Sequence, residues 1–204
     1  MLQFSDLNSA KQPDGLIPVI VQDDLTLRVL MLGYMNAEAL LATQQTGKVT
    51  FYSRTRQCLW TKGETSGNYL DVVSITPDCD RDTLLIRAIP QGPTCHTGAI
   101  SCFDSACKKS EGFIRQLQQV VKERHEQMPE GSYTTKLYTK GVNKIAQKVG
   151  EEAVETVIEA VRPDFSRYDF IYEASDLIYH LLVLLEERGC SISDLESELL
   201  SRHK

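Results

Sequence analysis

The hydrophobic pattern of this chain changes period near residue 110, and that change requires two different kinds of architecture. Before it, apolar residues come in short β-rich runs. Leu16-Ile17-Pro18-Val19-Ile20-Val21 and Arg28-Val29-Leu30-Met31-Leu32 are parted by the turn-forming pair Asp23-Asp24. Val49-Thr50-Phe51-Tyr52, Cys58-Leu59-Trp60-Thr61, Tyr69 to Ile75 and Thr83 to Ile89 are four further strand candidates. Asn36 is a good N-cap for a short helix from Ala37 to Gln45, closed by Gly47. An antiparallel or mixed sheet closing near Phe103 is expected. After the change, Phe113-Ile114, Leu117 and Val120-Val121 recur at helical spacing up to Pro129. Thr134 to Arg162 reads as one long helix or two, with Gly141 and Gly150 as weak points. Pro163-Asp164 breaks it, Tyr168 to Arg188 forms the next helix up to Gly189, and Ser193 is the expected cap of a last one. Four helical segments with short links favour a bundle. The fold class is therefore α+β: a mostly β domain over residues 1–107 and an all-α bundle over residues 108–204, joined through the polar Lys108-Lys109-Ser110.

With 204 residues each half can bury a core of its own. A net charge of −6 argues against a general nucleic-acid binder, which needs a basic surface, and leaves room for a local basic pocket. The first eleven residues mix Asp6, Asn8 and Lys11 with few apolar ones, unlike a secretory signal. Leu177 to Leu185 is apolar but too short for a membrane span, and His180 interrupts it. A cytoplasmic protein is expected.

Chemistry concentrates first in Asp78-Cys79-Asp80-Arg81-Asp82. On an extended backbone residues two apart share a face, which would put the three carboxylates on one side and Cys79 on the other. Three such acids repel unless a cation sits among them, and oxygen donors suit Mg2+ or Mn2+. A solvated turn is the plainer alternative. Thiols prefer a softer metal, and two more follow in Cys95-His96-Thr97-Gly98-Ala99-Ile100-Ser101-Cys102. The spacing is not that of a zinc finger; three thiols leave a fourth position open, as catalytic zinc requires. Cysteines serving as small buried hydrophobes are the alternative. The loop Lys62-Gly63-Glu64-Thr65-Ser66-Gly67 combines a cation, two hydroxyls and two glycines, so its amides can form an anion nest, with Arg54 and Arg56 adding bidentate contacts. A plain surface loop is equally open at this point, and Trp60 reads as core.

In the helical half, Gly150-Glu151-Glu152-Ala153-Val154-Glu155 sets Glu152 and Glu155 three apart on one face, and Glu173 and Asp176 repeat that spacing on the next helix. Antiparallel packing of the two helices brings four carboxylates together, a known way of holding metals inside bundles. A solvated stripe of Glu151, Glu152, Glu155 and Glu159 paired with Lys148 is the alternative. Against it, Asp176 adjoins Leu177-Ile178-Tyr179-His180-Leu181-Leu182, where an unpaired acid is costly. His180, one turn on, is expected to be its hydrogen-bond partner. Such a cluster suits Mg2+ and attack by water on a phosphoanhydride. Two other readings stay open from these residues: a zinc-stabilised interaction module with a helical dimerisation arm, and a pyrophosphatase fused to a zinc deaminase-like domain. The deaminase pattern of His-x-Glu with Cys-x-x-Cys is missing.

Longer strings go further. Met31-Leu32-Gly33-Tyr34-Met35-Asn36, Phe51-Tyr52-Ser53-Arg54, Trp60 to Asn68, Asp78 to Asp82 and Gly92-Pro93-Thr94-Cys95-His96-Thr97-Gly98 resemble the phosphoribosyl-AMP cyclohydrolases. Lys148-Val149-Gly150-Glu151-Glu152-Ala153-Val154-Glu155 and Glu173-Ala174-Ser175-Asp176-Leu177-Ile178-Tyr179-His180 resemble the phosphoribosyl-ATP pyrophosphohydrolases, with Ser175 where Ala is usual. Nearly the whole chain is thus similar to the bifunctional histidine-biosynthesis enzymes that fuse the two. The resemblance implies Zn2+ on Cys79, Cys95 and Cys102, completed across a homodimer interface, and Mg2+ on Asp78, Asp80 and Asp82. In the helical half it implies Mg2+ on Glu151, Glu152, Glu155, Glu173 and Asp176, with Glu152 and Glu155 catalytic. The implied substrates are phosphoribosyl-ATP, which loses pyrophosphate, and phosphoribosyl-AMP, whose purine opens between N1 and C6. Zinc lowers the pKa of bound water to about 7, and His96 is the expected proton shuttle, or else a residue that orients a metal ligand. Arg54, Arg56, Lys62, Thr65, Ser66 and Lys148 are expected to bind the phosphorylated substrates. Cys58, Cys107 and Cys190 match no metal pattern and read as structural. Neither nucleic acid nor membrane is expected as a partner.

Overall fold

The structure, a computed structural model, describes residues 2–104 and 112–203. It divides into two compact units, Met1–Phe113 and Ile114–Lys204. The expected boundary after residue 107, and Cys107 itself, lie outside the described residues.

The first unit opens with two 3-10 turns, Phe4–Asp6 and Ser9–Lys11. Then come β1 (Ile17–Asp23), β2 (Val29–Met35), α1 (Ala37–Thr46), β3 (Thr50–Ser53), β4 (Cys58–Thr61), β5 (Leu70–Pro77) and β6 (Leu84–Pro90). All six expected strands form. Four make a mixed sheet in the order β2-β1-β6-β5, with β1 parallel to β6 and both outer pairs antiparallel. Burial alternates along β1, so Ile17, Val19 and Val21 all enter the core. Pro18 lacks an N–H, and β6 joins β1 only from Val19 onward. The hairpin of β3 and β4, together with α1, completes the core: Ala39, Leu40 and Phe51 join Leu30, Met35, Leu70, Leu84 and Ile86. Helix α1 begins where Asn36 Oδ1 accepts from the Ala39 amide at 2.9 Å, and it closes at Gly47. The wholly buried Thr43 ties helix to hairpin. Its hydroxyl donates to the Ala39 carbonyl at 2.8 Å and accepts from the Thr50 amide at 2.9 Å.

The second unit holds α2 (Phe113–Gln127), α3 (Tyr133–Lys140), α4 (Val142–Val161), α5 (Arg167–Glu187) and α6 (Ile192–Arg202), one helix more than the four expected. Of the two weak points, only Gly141 breaks the run. Its φ of 80° with ψ of 174° is a conformation that side chains resist. Gly150 stays inside α4. The last helix is capped by Ser191 and not by Ser193. Ser191 Oγ accepts from the Asp194 amide, and the Asp194 carboxylate accepts from the Ser191 amide at 2.7 Å, a reciprocal box; Glu196, which stands three residues after Ser193, pairs with Arg115 instead.

Helices α4 and α5 pack antiparallel: Arg162, just past α4, lies 3.7 Å from Asp169 at the start of α5, while Glu152 in mid-helix meets His180 further along. The core here is small, built on Val121, Leu137, Tyr138, Ile145 and Val183. It leaves Val154, Val157, Ile158 and Val161 of α4, with Tyr168 and Tyr172 of α5, more than half exposed. No described helix is long and apolar enough to cross a membrane.

Thr43→Val keeps the shape of the side chain but strands the Thr50 amide. Urea unfolding followed through Trp60, the single tryptophan, is expected to show a loss of about 1–3 kcal/mol in the first unit.

Candidate active sites

After β6 the chain runs into a loop that carries two of the expected metal ligands. Its far end is pinned to β2: Ser101 Oγ donates to the Val29 carbonyl at 2.6 Å and the Cys102 amide to the Leu30 carbonyl at 2.8 Å. Its near end is a tight turn in which the Cys95 amide donates to Ala99 and the Gly98 amide donates back to Cys95. Cys95 and Cys102 thereby line one cleft of about 500 Å3, together with His96, Arg56, Lys62, Thr65 and Ser66. Trp60, expected only in the core, packs on the core and lines this cleft as well. The two thiols differ. Thr97 Oγ1 donates to Cys95 Sγ at 3.2 Å and pulls that thiol below its ordinary pKa; partial desolvation pushes Cys102 up, and the neighbouring Cys95 adds to it. His96 Nδ1 lies 3.7 Å from Cys95 Sγ. Lys62 is buried, donates to the Asn68 carbonyl at 3.3 Å, and has its pKa lowered by burial against the opposing pull of both thiols.

The loop that presents Lys62 folds on itself. Gly63 has φ 95°, and a Cβ there would come within 2.6 Å of the Asn68 carbonyl, so only glycine fits. Within the loop the amides of Glu64 and Gly67 bond to the carbonyls of Thr61 and Gly63, and that of Lys62 to the Val49 carbonyl, so these three are already engaged. The side chains of Lys62 and Arg56 bring positive charge to the cleft. Arg54 is elsewhere: it lines a separate hollow with Asp14 and Asn36, its guanidinium 3.7 Å from the Tyr34 ring centroid.

The acidic stretch is not extended. Residues 78–83 form the turn from β5 to β6, with Arg81 in the left-handed region at φ 61°. Asp78 Oδ1 closes the turn by accepting from the amides of Asp82 and Thr83 at 3.0 and 3.1 Å. The three carboxylates still converge, each offering an oxygen within 4.8 Å of the others, but turn geometry and not strand alternation brings them together. Lys11 pairs with Asp80, and with Asp82 at 3.2 Å, so a cation already fits among these oxygens. Their hard donor set suits Mg2+ or Mn2+. Cys79, exposed in the same turn, does not line the cleft of Cys95 and Cys102.

Between α4 and α5 a second acidic trio forms, from Glu152, Glu173 and Asp176, again within 4.8 Å. Glu152 is only 4 % exposed. Lys148 Nζ holds it at 2.7 Å and Glu151 at 2.9 Å, which raises the lysine pKa and lowers that of Glu151. Glu155 is exposed and outside the trio, yet its charge bears on Glu173: partial burial first, then Glu155, Glu152 and Asp176, push the Glu173 carboxyl up. An oxygen-donor trio of this kind fits Mg2+. His180 does not hydrogen-bond the Asp176 carboxylate as expected. Its Nδ1 donates to the Asp176 backbone carbonyl at 2.9 Å, while Nε2 accepts from the Tyr133 hydroxyl at 3.0 Å and Glu152 Oε1 lies 3.6 Å from Nδ1. Tyr133 carries no motif, and its separation of 47 residues from His180 hides the pairing from the sequence.

Because the Glu173 carboxylate is disfavoured in the folded chain, metal-free protein gains stability as pH falls through its raised pKa. Glu173→Gln, neutral throughout, is expected to melt higher than the parent at neutral pH in chelator. Calorimetry should show the gap closing on acidification.

Residues 31–104 match the phosphoribosyl-AMP cyclohydrolase family and residues 114–203 the phosphoribosyl-ATP pyrophosphohydrolase family. The chain is 58% identical to the histidine biosynthesis bifunctional protein HisIE of Bacteroides thetaiotaomicron, over 99% of this chain and 96% of that protein. It is 56% identical to the HisIE protein of Escherichia coli, over 95% and 94% of the two chains. With that of Xanthomonas axonopodis pv. citri it shares 56% identity over 94% and 90%. The chain belongs to the bifunctional histidine-biosynthesis family in which an N-terminal phosphoribosyl-AMP cyclohydrolase is joined to a C-terminal phosphoribosyl-ATP pyrophosphohydrolase.

Proposed function

We propose that pyrophosphate leaves phosphoribosyl-ATP at the Glu152, Glu173 and Asp176 cluster, and that the purine of phosphoribosyl-AMP is opened at the cleft of Cys95 and Cys102. The observation that carries this reading is the sorting of donors: two thiols meet in a cleft of one unit, and a carboxylate trio built on buried Glu152 forms in the other. The thiol cleft lies in the half that matches the cyclohydrolase family and the carboxylate trio in the half that matches the pyrophosphohydrolase family.

In the helical unit Glu152, Glu173 and Asp176 hold Mg2+, with Glu151 and Glu155 beside them. Mg2+, when bound, neutralises phosphate charge and makes water more acidic. Lys148, which sits beside Glu152, would meet the substrate phosphates. Glu155, exposed at the rim, takes the proton of the attacking water. The water oxygen bonds to phosphorus, the bridging P–O bond breaks, and pyrophosphate departs with its electron pair.

In the β unit Cys95 and Cys102 hold zinc, and a second copy of the chain supplies Cys79 in a homodimer, since one chain leaves Cys79 out of the cleft. The exposed apolar faces of α4 and α5 also favour pairing of chains. Zinc, when bound, lowers the pKa of a water to about 7, so hydroxide is available at neutral pH. Water adds to C6, the C6–N1 bond breaks, and His96 would move the water's proton to N1 to leave a carboxamide. Arg56, Lys62, Thr65 and Ser66 face the same cleft and bind the phosphates there. Arg54, in its own hollow, is left out of this set. Asp78, Asp80 and Asp82 hold a further Mg2+. Cys58, Cys79, Cys95, Cys102 and Cys190 are free thiols, as suits a cytoplasmic protein.

His96→Ala is expected to slow ring opening of supplied phosphoribosyl-AMP by about 10²–10³-fold and to leave pyrophosphate release intact. Glu152→Gln is expected to do the reverse, cutting pyrophosphate release by about 10²-fold or more. Assaying each variant with both substrates checks this; loss of both activities in either one would contradict two separate sites.

A further inference from the structure

The acidic turn between β5 and β6 is covered by the start of the chain. The Asn8 amide donates to the Arg81 carbonyl at 2.7 Å, and the Asn8 side chain donates to the Asp80 carbonyl. Arg81 in turn donates to the Asp6 carbonyl at 3.4 Å. These contacts fix the path of residues 6–11 over the turn. At its end Lys11 lays its ammonium on the carboxylates of Asp80 and, at 3.2 Å, Asp82. The lysine is thus delivered to the turn by a segment bonded to the same turn, not by a side chain reaching in from a distant element.

We propose that Lys11 is the built-in counter-ion of the acidic turn and a positioning residue for its divalent cation, so that the metal enters only as the ammonium leaves. This rests on the reading of Asp78, Asp80 and Asp82 as Mg2+ ligands. Oxygens engaged by an ammonium have fewer lone pairs for a small ion that demands near-octahedral geometry at about 2.0–2.1 Å. Two positive charges a few ångströms apart also repel, which favours exchange over joint occupancy. An exposed ammonium–carboxylate pair is weak enough for a doubly charged ion to displace, whereas a singly charged ion gains little by the exchange. Lys11 therefore sets both the affinity of the site and its preference for divalent ions. Because the contacts of Asn8 and Arg81 involve backbone carbonyls and not the carboxylates, they persist after the exchange and keep Lys11 within reach.

Titration of the full-length chain with Mn2+, followed by electron paramagnetic resonance, tests the proposal in the parent, Lys11→Met and Asp80→Asn proteins. Asp80→Asn is expected to lose one bound Mn2+ per chain. Lys11→Met is expected to bind that ion about three- to tenfold more tightly, the gap narrowing as salt is raised. In the parent, acetylation of Lys11 by an N-hydroxysuccinimide ester, followed by peptide mass, is expected to quicken when Mn2+ is added. If Lys11→Met binds no more tightly while Asp80→Asn still loses an ion, the role of Lys11 is overturned and the metal reading stands. If Asp80→Asn keeps every Mn2+, the metal reading falls, and the role of Lys11 with it.

Discussion

Carboxylates crowded within a few ångströms repel one another, and among the described residues both acidic clusters answer that repulsion with a lysine. Lys11 sits on Asp80 and Asp82 and Lys148 bridges Glu151 and Glu152, while Lys62 lies buried in the cleft that Cys95 and Cys102 also line. Two unit charges 4 Å apart interact by about 4 kcal/mol at the effective dielectric of a protein surface, so clusters of this size need a counter-charge to exist. Lysine suits the task because its ammonium is a single point charge on a flexible stem. It can be moved aside by an incoming cation more readily than the bidentate fork of arginine.

The two acidic clusters and the sulfur cleft differ in how far they are withdrawn from water, and for the acidic pair that sets how strongly each holds its lysine. Glu152 is almost fully buried between two helices, where a lysine at 2.7 Å is shielded from solvent competition. The acidic turn is largely exposed, so its pairing with Lys11 is weak and exchangeable. The sulfur cleft lies between these extremes, with Lys62 buried and His96 exposed at the edge. The two units also differ in their cores. The β unit packs a sheet, a hairpin and a helix around one well-filled interior, while the helical unit closes on a few residues and leaves long apolar faces on α4 and α5 open.

Much of this architecture is legible one segment at a time. Strand alternation, the Asn36 cap, the stop at Gly47 and the spacing of Glu152 with Glu155 and of Glu173 with Asp176 are short-range properties of the chain. The places where the reading and the structure part are those where two local signals compete. Gly141 and Gly150 look equivalent, and a glycine costs only about 1 kcal/mol inside a helix, so packing on either side decides which one breaks it. Ser191 and Ser193 are both plausible caps, each with an acid three residues on; Asp194 closes the box on Ser191 while Glu196 is drawn to Arg115 of another helix. The alternation of Asp78, Asp80 and Asp82 is equally that of a strand and of a turn; the positive φ at Arg81 makes it a turn.

Alone, the sequence determined the two-part fold, the strands and helices, the donor types and, through long matched strings, the family, because periodicity, capping and motif identity are written within a few residues of one another. Tertiary structure decided which donors meet. Lys11 finds Asp80 across 69 residues, Tyr133 finds His180 across 47, and Cys79 stays apart from Cys95 and Cys102 despite being close in sequence. The physical reason is that such meetings depend on sheet register, turn geometry and helix crossing, which follow from packing the whole chain and from no stretch of it in isolation.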